Sequence, residues 1–427
     1  IGLGIPAEPL FRSIHLALDM KKTVFWNMAG SVCNAANTIL MTMVITRICG
    51  AAIAGIYTLA LAVAEMLGPI STFQVRNYQA SDVKRVFNFH EYLYSRFISI
   101  LLTLFICIGW IFIHGYSNDK ALLILLCTVF KFLEAYEDVY YGQLQVNNRL
   151  DIVGRIFALR VVFATIVFIV LLAFTKNIFI SYSVYIVFSI VWTLLITLPY
   201  ANNFICKDVT RLHNILKLLK ECLPLCITQF LLAYIISCPK YALDKFYSSE
   251  IQTYFTTIFM PASIVNLFTL IIYRLYITKM ADDWNSGNIS AFLKYTERIV
   301  LITFFIGILA TIVGWFIGLP ILAWFYGLPE IMNYKAALII ILIGGTFNAL
   351  TGWFNTVFTI IRKQQIILYI NLFAFVISLL IINPLAKQFR MNGAAFGYAL
   401  IMFILSFIQT LTFIYFIFSL QKKQKSN

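Results

Sequence analysis

The sequence predicts an all-α polytopic membrane protein of about twelve transmembrane helices arranged in two six-helix lobes. Two observations carry this. Apolar segments of bilayer-spanning length follow one another along the 427 residues, and Lys and Arg fall almost entirely into every second gap between them. With 61% hydrophobic and 12% charged residues and a mean hydropathy of +0.87, the chain is suited to lipid rather than water.

The spans fall at roughly 24–46, 52–75, 95–114, 121–143, 156–174, 178–199, 223–243, 251–273, 299–320, 336–361, 366–384 and 396–419, each long enough to cross the hydrocarbon core. Of the 32 basic residues, 23 lie on the side that holds the amino terminus, eight lie near the opposite ends, and Lys131 sits within a span. The positive-inside rule then places both termini in the cytoplasm. The chain opens on Ile1 with Pro6 and Pro9, whereas Met20-Lys21-Lys22 leads straight into an apolar run, so residues 1–19 are set aside as an extension. The lobes are expected over 20–200 and 223–420, joined by a linker at 201–222 and followed by a basic tail at 421–427.

The net charge of +14 is dispersed as short collars at span ends, not as a stripe on a soluble face. Anionic membrane lipids, and not nucleic acid, are the expected surface partner. The eight cysteines form no CxxC pair and mostly lie inside spans; Cys222 and Cys226 share a helical face without further ligands, so neither a metal site nor a disulfide frame is expected. The four histidines are scattered and carry no catalytic assignment.

The longest polar stretch, Asn202 to Glu221, follows the sixth span. Within it Val209, Leu212, Ile215, Leu216 and Leu219 recur at helical spacing away from Arg211, Lys217 and Lys220, the pattern of a helix lying along an anionic surface. The loops after the second span of each half are faintly alike: Arg76, Asp82, Phe89, Tyr92 and Arg96 have counterparts in Arg274, Asp282, Phe292, Tyr295 and Arg298. Six spans per half make such repeats parallel, two lobes about a central cavity.

Charges inside spans are costly, about 2.5 to 3.5 kcal/mol each on insertion scales, and must face protein or water. The fourth span concentrates them: Lys131, Glu134 and Asp138 share one helical face, with Glu137 at its flank. A self-neutralising stack and a polar cavity wall both fit; the excess of carboxylates over the lone lysine favours the wall. Glu65, followed by Gly68 and Pro69 in a bent second span, is suited to a coupling proton or cation, and equally to a carboxyl kept protonated against a hydroxyl. Lys240, Asp244 and Lys245 at the outer end of the seventh span read by position as a snorkelling interfacial cluster, and Arg47 shares that ambiguity. No glycine-rich phosphate loop, GxSxG element or long external loop points to catalysis, which leaves transport as the leading class.

Several segments resemble the lipid-linked oligosaccharide flippases of O-antigen or teichoic type, the polysaccharide branch of the multidrug/oligosaccharidyl-lipid/polysaccharide (MOP) exporter superfamily. They are Thr46-Arg47-Ile48-Cys49-Gly50 with Ala54-Gly55-Ile56-Tyr57; Arg76-Asn77-Tyr78-Gln79-Ala80-Ser81-Asp82; Glu134-Ala135, Asp138, Gly142, Gln145 and Arg149-Leu150-Asp151; Pro239-Lys240-Tyr241-Ala242 with Asp244, then Phe259-Met260-Pro261-Ala262; and Gly393-Ala394-Ala395 with Tyr398. The resemblance implies a V-shaped, MATE-like pair of lobes that moves a polyprenyl-diphosphate-linked glycan between leaflets by alternating access. It implies a monomer without cofactor, coupled to a proton or sodium ion if to any, and serving a polysaccharide assembly machinery. Family matching marks Arg47, Arg76 and Lys240 as contacts for the diphosphate; Lys131, Lys245 and Arg274 join them by charge alone. Glu65, Glu134, Asp138 and Asp244 are the expected cavity or coupling groups. A multidrug cation exporter of the same superfamily is the nearest alternative, favoured by the acids and opposed by the basic surplus. A cell-wall precursor flippase, usually with more spans, and a membrane-embedded glycan polymerase stand further off.

Overall fold

A computed structural model describes residues 8–82, 86–205 and 210–426, without the side chains of residues 8–22, 24, 81, 274, 275 and 421–426. Ten helices among the described residues are long and apolar enough to span a bilayer. α5 (Asn118–Val146) has the length but carries Lys131, Glu134, Glu137 and Asp138, which lower its hydropathy. The apolar stretch Gln364–Leu420 is two spans, because the run α14 (Gln364–Ser426) breaks at Arg390 (φ 53°, ψ −135°). Counting α5 and the division at Arg390, the architecture reaches the twelve spans predicted.

Backbone contacts divide the chain into two units, the first holding residues 1–48 and 70–223 and the second residues 49–69 and 224–427. Residues 49–69, most of the second span, thus cluster with the carboxy-terminal half. Two of the three boundaries fall at a proline within a helix: Pro69 in α2 (Ala51–Thr72) and Pro224 in α9 (Leu212–Phe246). Proline lacks the N–H that would continue the ladder and crowds the preceding turn.

The first unit is built from α1 (Glu8–Cys49), the short α3 (Val75–Ser81), α4 (Phe89–His114), α5, α6 (Leu150–Thr175), α7 (Ile178–Trp192) and α8 (Leu198–Asn202). α4 opens with a capping box in which the Asn88 side chain accepts from the Glu91 N–H and Glu91 Oε2 accepts from the Asn88 N–H. The second Glu91 oxygen accepts from the Arg211 N–H at 3.1 Å and from Asn214 Nδ2 at 2.8 Å, which ties the start of α9 to α4. α9 then runs unbroken to Phe246, so residues 212–222 are the first turns of a spanning helix and not a separate surface helix. Their buried face is Ile215, Leu218 and Cys222; Leu212 and Leu216, expected on an apolar surface face, are exposed. Val209 lies outside the described residues. α7 passes into α8 through a π-turn at Thr193–Thr197, two residues before Pro199, and α11 (Ile289–Val313) passes into α12 (Leu319–Tyr326) through another at Gly314–Gly318, two residues before Pro320. In each case the missing proline N–H is where the helix widens its register.

The second unit packs α10 (Ser249–Asn285), α11, α13 (Lys335–Ile360) and the carboxy-terminal part of α14 around an aromatic core that includes Tyr273, Phe292, Trp353, Phe358 and Phe413. Small residues set the helix spacing, as they do where lipid supplies no hydrophobic drive between helices. A Cβ on Gly345 would come within 2.8 Å of Ala262, and one on Gly344 within 2.8 Å of the Tyr398 ring. The Pro261-Ala262 and Tyr398 motifs therefore mark close helix packing. The likeness between the two loops does not extend to their chemistry. Phe89 and Phe292 are both buried, but Arg96 is buried in the first unit while Arg298 is exposed in the second.

Candidate functional site

The charged face of α5 meets arginines from α3, α4 and α6 inside the first unit. Glu134, Glu137, Asp138 and Tyr141 follow the i, i+3, i+4, i+7 pattern and so project from one side of the helix. Asp138 binds two arginines: Arg76 Nη1 reaches its Oδ1 at 3.1 Å and Arg96 Nη2 its Oδ2 at 3.0 Å. Arg76 also donates from Nε to Gln145 Oε1 at 3.1 Å and lies over the Tyr141 ring. Arg96, with no exposed side-chain surface, also donates to the carbonyls of Ser71 and Thr72, where α2 ends.

One turn earlier, Lys131 Nζ donates to Glu134 Oε2 at 2.8 Å, and Arg160 of α6 lies between Glu134 (3.8 Å) and Glu137 (3.0 Å). Glu137 is fully buried. Its Oε1 accepts from Thr193 and Thr197, the two ends of the π-turn, and its Oε2 from the Tyr141 hydroxyl at 3.2 Å. Buried carboxylates survive when paired and multiply hydrogen-bonded, and Glu137 meets both conditions. The faces of Phe130 and Phe157 flank the Arg160 guanidinium at 5.6 and 5.5 Å.

These groups wall a cavity of about 280 Å3 whose lining includes Arg76, Glu134, Glu137, Asp138, Tyr141 and Arg160, closed on another side by Asn27, Gly30 and Ser31 of α1. Gly154 lets α1 approach α6 here: a Cβ on it would lie 2.6–2.7 Å from the backbone of Trp26 and Asn27.

Arg76, Glu134 and Asp138 thus line one cavity, and Lys131 adjoins it through Glu134. Arg47 stands exposed in the last turn of α1 and lines no part of this cavity. Glu65, Lys240, Asp244 and Lys245 belong to the second unit. There Glu65 is exposed on a helix whose adjacent Ala64 and Met66 are buried, and Lys240 sits within its field and 5.6 Å from the Phe259 ring centroid. Lys245 is exposed, over Phe246. The Arg274 side chain lies outside the described residues.

Two arginines that sequence position assigns to the cytoplasmic collar are corrected: Arg96 and Arg160 are buried partners of the α5 acids. The surplus of carboxylates over Lys131 that favoured a cavity wall is therefore made good by arginines from other helices. Sequence depth gave little signal: Arg160 lies ten residues inside α6 but only four inside the span predicted over 156–174, a depth ordinary for a collar charge.

No family model matches the chain. The capsular polysaccharide biosynthesis protein CapF of Staphylococcus aureus is 24% identical over 402 residues, covering 93% of this chain and 99% of the relative. An inward-facing multidrug resistance MATE family transporter of the MOP superfamily superposes with a TM-score of 0.67 at 14% identity, over 92% of this chain and 96% of that one. The chain has the MOP-superfamily transporter fold. The Vibrio cholerae MATE transporter VcmN gives the same TM-score and identity over 97% and 98% of the two chains. A MOP superfamily transporter from Pyrococcus furiosus, distinguished by the reverse polarity of its binding pocket, gives 0.62 at 14% identity over 94% and 96%. That architecture, with the run of apolar helices, makes this a multi-pass membrane protein.

Proposed function

We propose that the chain is a flippase that carries a polyprenyl-diphosphate-linked oligosaccharide from the inner to the outer leaflet, by alternating access, for cell-surface polysaccharide assembly. The observation that carries this reading is the charge of the first unit's polar cluster: four cations, Arg76, Arg96, Lys131 and Arg160, against three carboxylates, Glu134, Glu137 and Asp138. A multidrug cation needs a carboxylate left over, whereas a diphosphate needs a cation that can change partners. Arg76 and Lys131 keep 28% and 23% of their side chains exposed, so their ion pairs exchange at small cost. Arg96 stays on Asp138 when Arg76 turns away, so the carboxylate is never left buried and alone. Arg76 would then hold phosphate oxygens through its planar fork, and the lipid tail would remain in the bilayer. The full-length likeness to a capsular polysaccharide biosynthesis protein supports the glycan side of the reading.

A cation exporter remains the second reading, on one observation: the exposed Glu65 carboxylate of the second unit. The two separate in cells lacking their own flippase and their own cation exporters. Export of surface glycan that depends on this chain, with no change in efflux of a fluorescent organic cation, supports the flippase; the reverse result overturns it.

A further inference from the structure

The first unit holds a second cavity whose chemistry differs from that of the first. It measures about 360 Å3, within the range of about 300–1,000 Å3 for small-ligand sites, and lies where α3, the start of α4, the end of α5 and the end of α8 converge. Among the described residues, no Lys or Arg lines it. Its polar groups are the amides of Gln79, Asn88, Gln143, Asn147 and Asn203, interleaved with the rings of Phe87, Phe89, Tyr92 and Phe204. Asp82 is the one acid in the lining among the described residues, and its oxygens already accept from the N–H groups of Val86 and Phe87 and from the Tyr92 hydroxyl. That carboxylate is spent on structure, and its charge repels phosphate.

Gln79 is the telling group. It is 2% exposed, and neither Oε1 nor Nε2 has a hydrogen-bond partner. Its amide lies over Gly142, where a Cβ would come 2.0 Å from Oε1, so glycine at 142 is what admits it. A buried amide without partners costs stability, and an apolar side chain of similar shape would avoid that cost. A group that both donates and accepts, at the wall of a cavity with aromatic faces, matches a ligand whose hydroxyls do the same and whose ring presents apolar C–H faces.

We infer that this cavity binds a neutral pyranose ring. Resting on the flippase reading, the inference adds that the ring belongs to the glycan of the lipid-linked substrate. Arg76 and Gln79 lie one turn apart on α3, and Asp138 and Gln143 little more than a turn apart on α5, so the cationic cavity and the amide cavity follow each other along the same two helices. Diphosphate and first sugar are adjacent in the same order.

The test is saturation-transfer NMR on the purified full-length protein in nanodiscs, using glucose, galactose, N-acetylglucosamine and N-acetylgalactosamine at millimolar concentration. At least one should receive saturation, and Gln79→Leu and Gly142→Ala should each weaken its binding about fivefold or more, the factor carried by one net hydrogen bond. Inorganic diphosphate should not displace it. The melting temperature of Gln79→Leu should equal or exceed that of the parent, since the variant removes unpaired buried polar atoms. Absence of transfer to all four sugars overturns the inference, as does binding left unchanged in folded Gln79→Leu and Gly142→Ala. The flippase reading fails by a different result, surface glycan export that does not depend on the presence of this chain.

Discussion

The Arg160 guanidinium and the Glu137 carboxylate lie 3.0 Å apart, with 2% and 0% of their side chains exposed, at the crossing of α5 and α6. Neither charge can reach water if its partner is lost. Glu137 keeps two threonines and a tyrosine as donors, while Arg160 keeps the looser contact to Glu134 at 3.8 Å and the faces of Phe130 and Phe157.

Removing one side of such a pair costs about 3–5 kcal/mol, and removing both costs much less. Arg160→Met and Glu137→Gln should each lower the unfolding temperature in detergent sharply, and the double variant should recover part of the loss. A double-mutant cycle on thermal unfolding measures it; additive losses would mean that the two charges do not stabilise each other.

Helix spacing is subject to a similar constraint. Gly154→Ala drives a methyl into the α1 backbone, which cannot rotate away, and should cost roughly 1–3 kcal/mol. Gly109→Ala in α4 meets no atom within 4 Å and should gain about 0.5–1 kcal/mol from a better helix former. Unfolding midpoints of the two variants, measured side by side, should move in opposite directions.

The spans were legible because hydropathy and length are local properties. α5 was legible too, despite four charges, because the apolar residues around Lys131 keep spanning length. What sequence could not supply was the partner of each charge. Arg96 and Arg160 come to Asp138 and Glu137 from 42 and 23 residues away, and a rule that reads basic residues near span ends as collar charges conceals them. Nor did the sequence show that residues 49–69 cluster with the second half, since that grouping rests on contacts such as Tyr241 donating to the Ala62 carbonyl and Thr253 to that of Ala51. Gln79 and Gly142 stood in matched motifs, but only their contact shows why one needs the other.

Tyr78, on α3 outside the spans, donates to Glu221 at the start of α9. That hydrogen bond, with burial and the charges of Glu221 and Asp82, pushes its hydroxyl up to about 12. A raised tyrosine pKa favours the neutral form in the folded state. The contribution is therefore complete below the ordinary value of about 10 and fades as pH rises through about 12. Thermal stability should be flat from pH 7 to 9 in this respect, and Tyr78→Phe should be less stable there and lose less than the parent between about pH 10 and 12. Parallel alkaline melting curves for parent and variant would refute the linkage.

The two arginines on Asp138 should separate function from folding. Arg76 is partly exposed and lines the cavity, so Arg76→Ala should leave Asp138 paired with Arg96, cost about 1 kcal/mol or less, and abolish glycan export. Arg76→Lys keeps the charge without the bidentate fork and should retain partial export. Arg96 is fully buried and also holds the end of α2, so Arg96→Ala strands Asp138 with a single partner, frees the Ser71 and Thr72 carbonyls, and should reduce the amount of folded protein in the membrane. Asp138→Asn should release Arg76, so that export falls less than in Arg76→Ala if the arginine is what the substrate uses. Quantifying surface glycan against membrane-embedded protein for the four variants decides the matter: equal export per folded molecule in Arg76→Ala and the parent would remove Arg76 from substrate recognition.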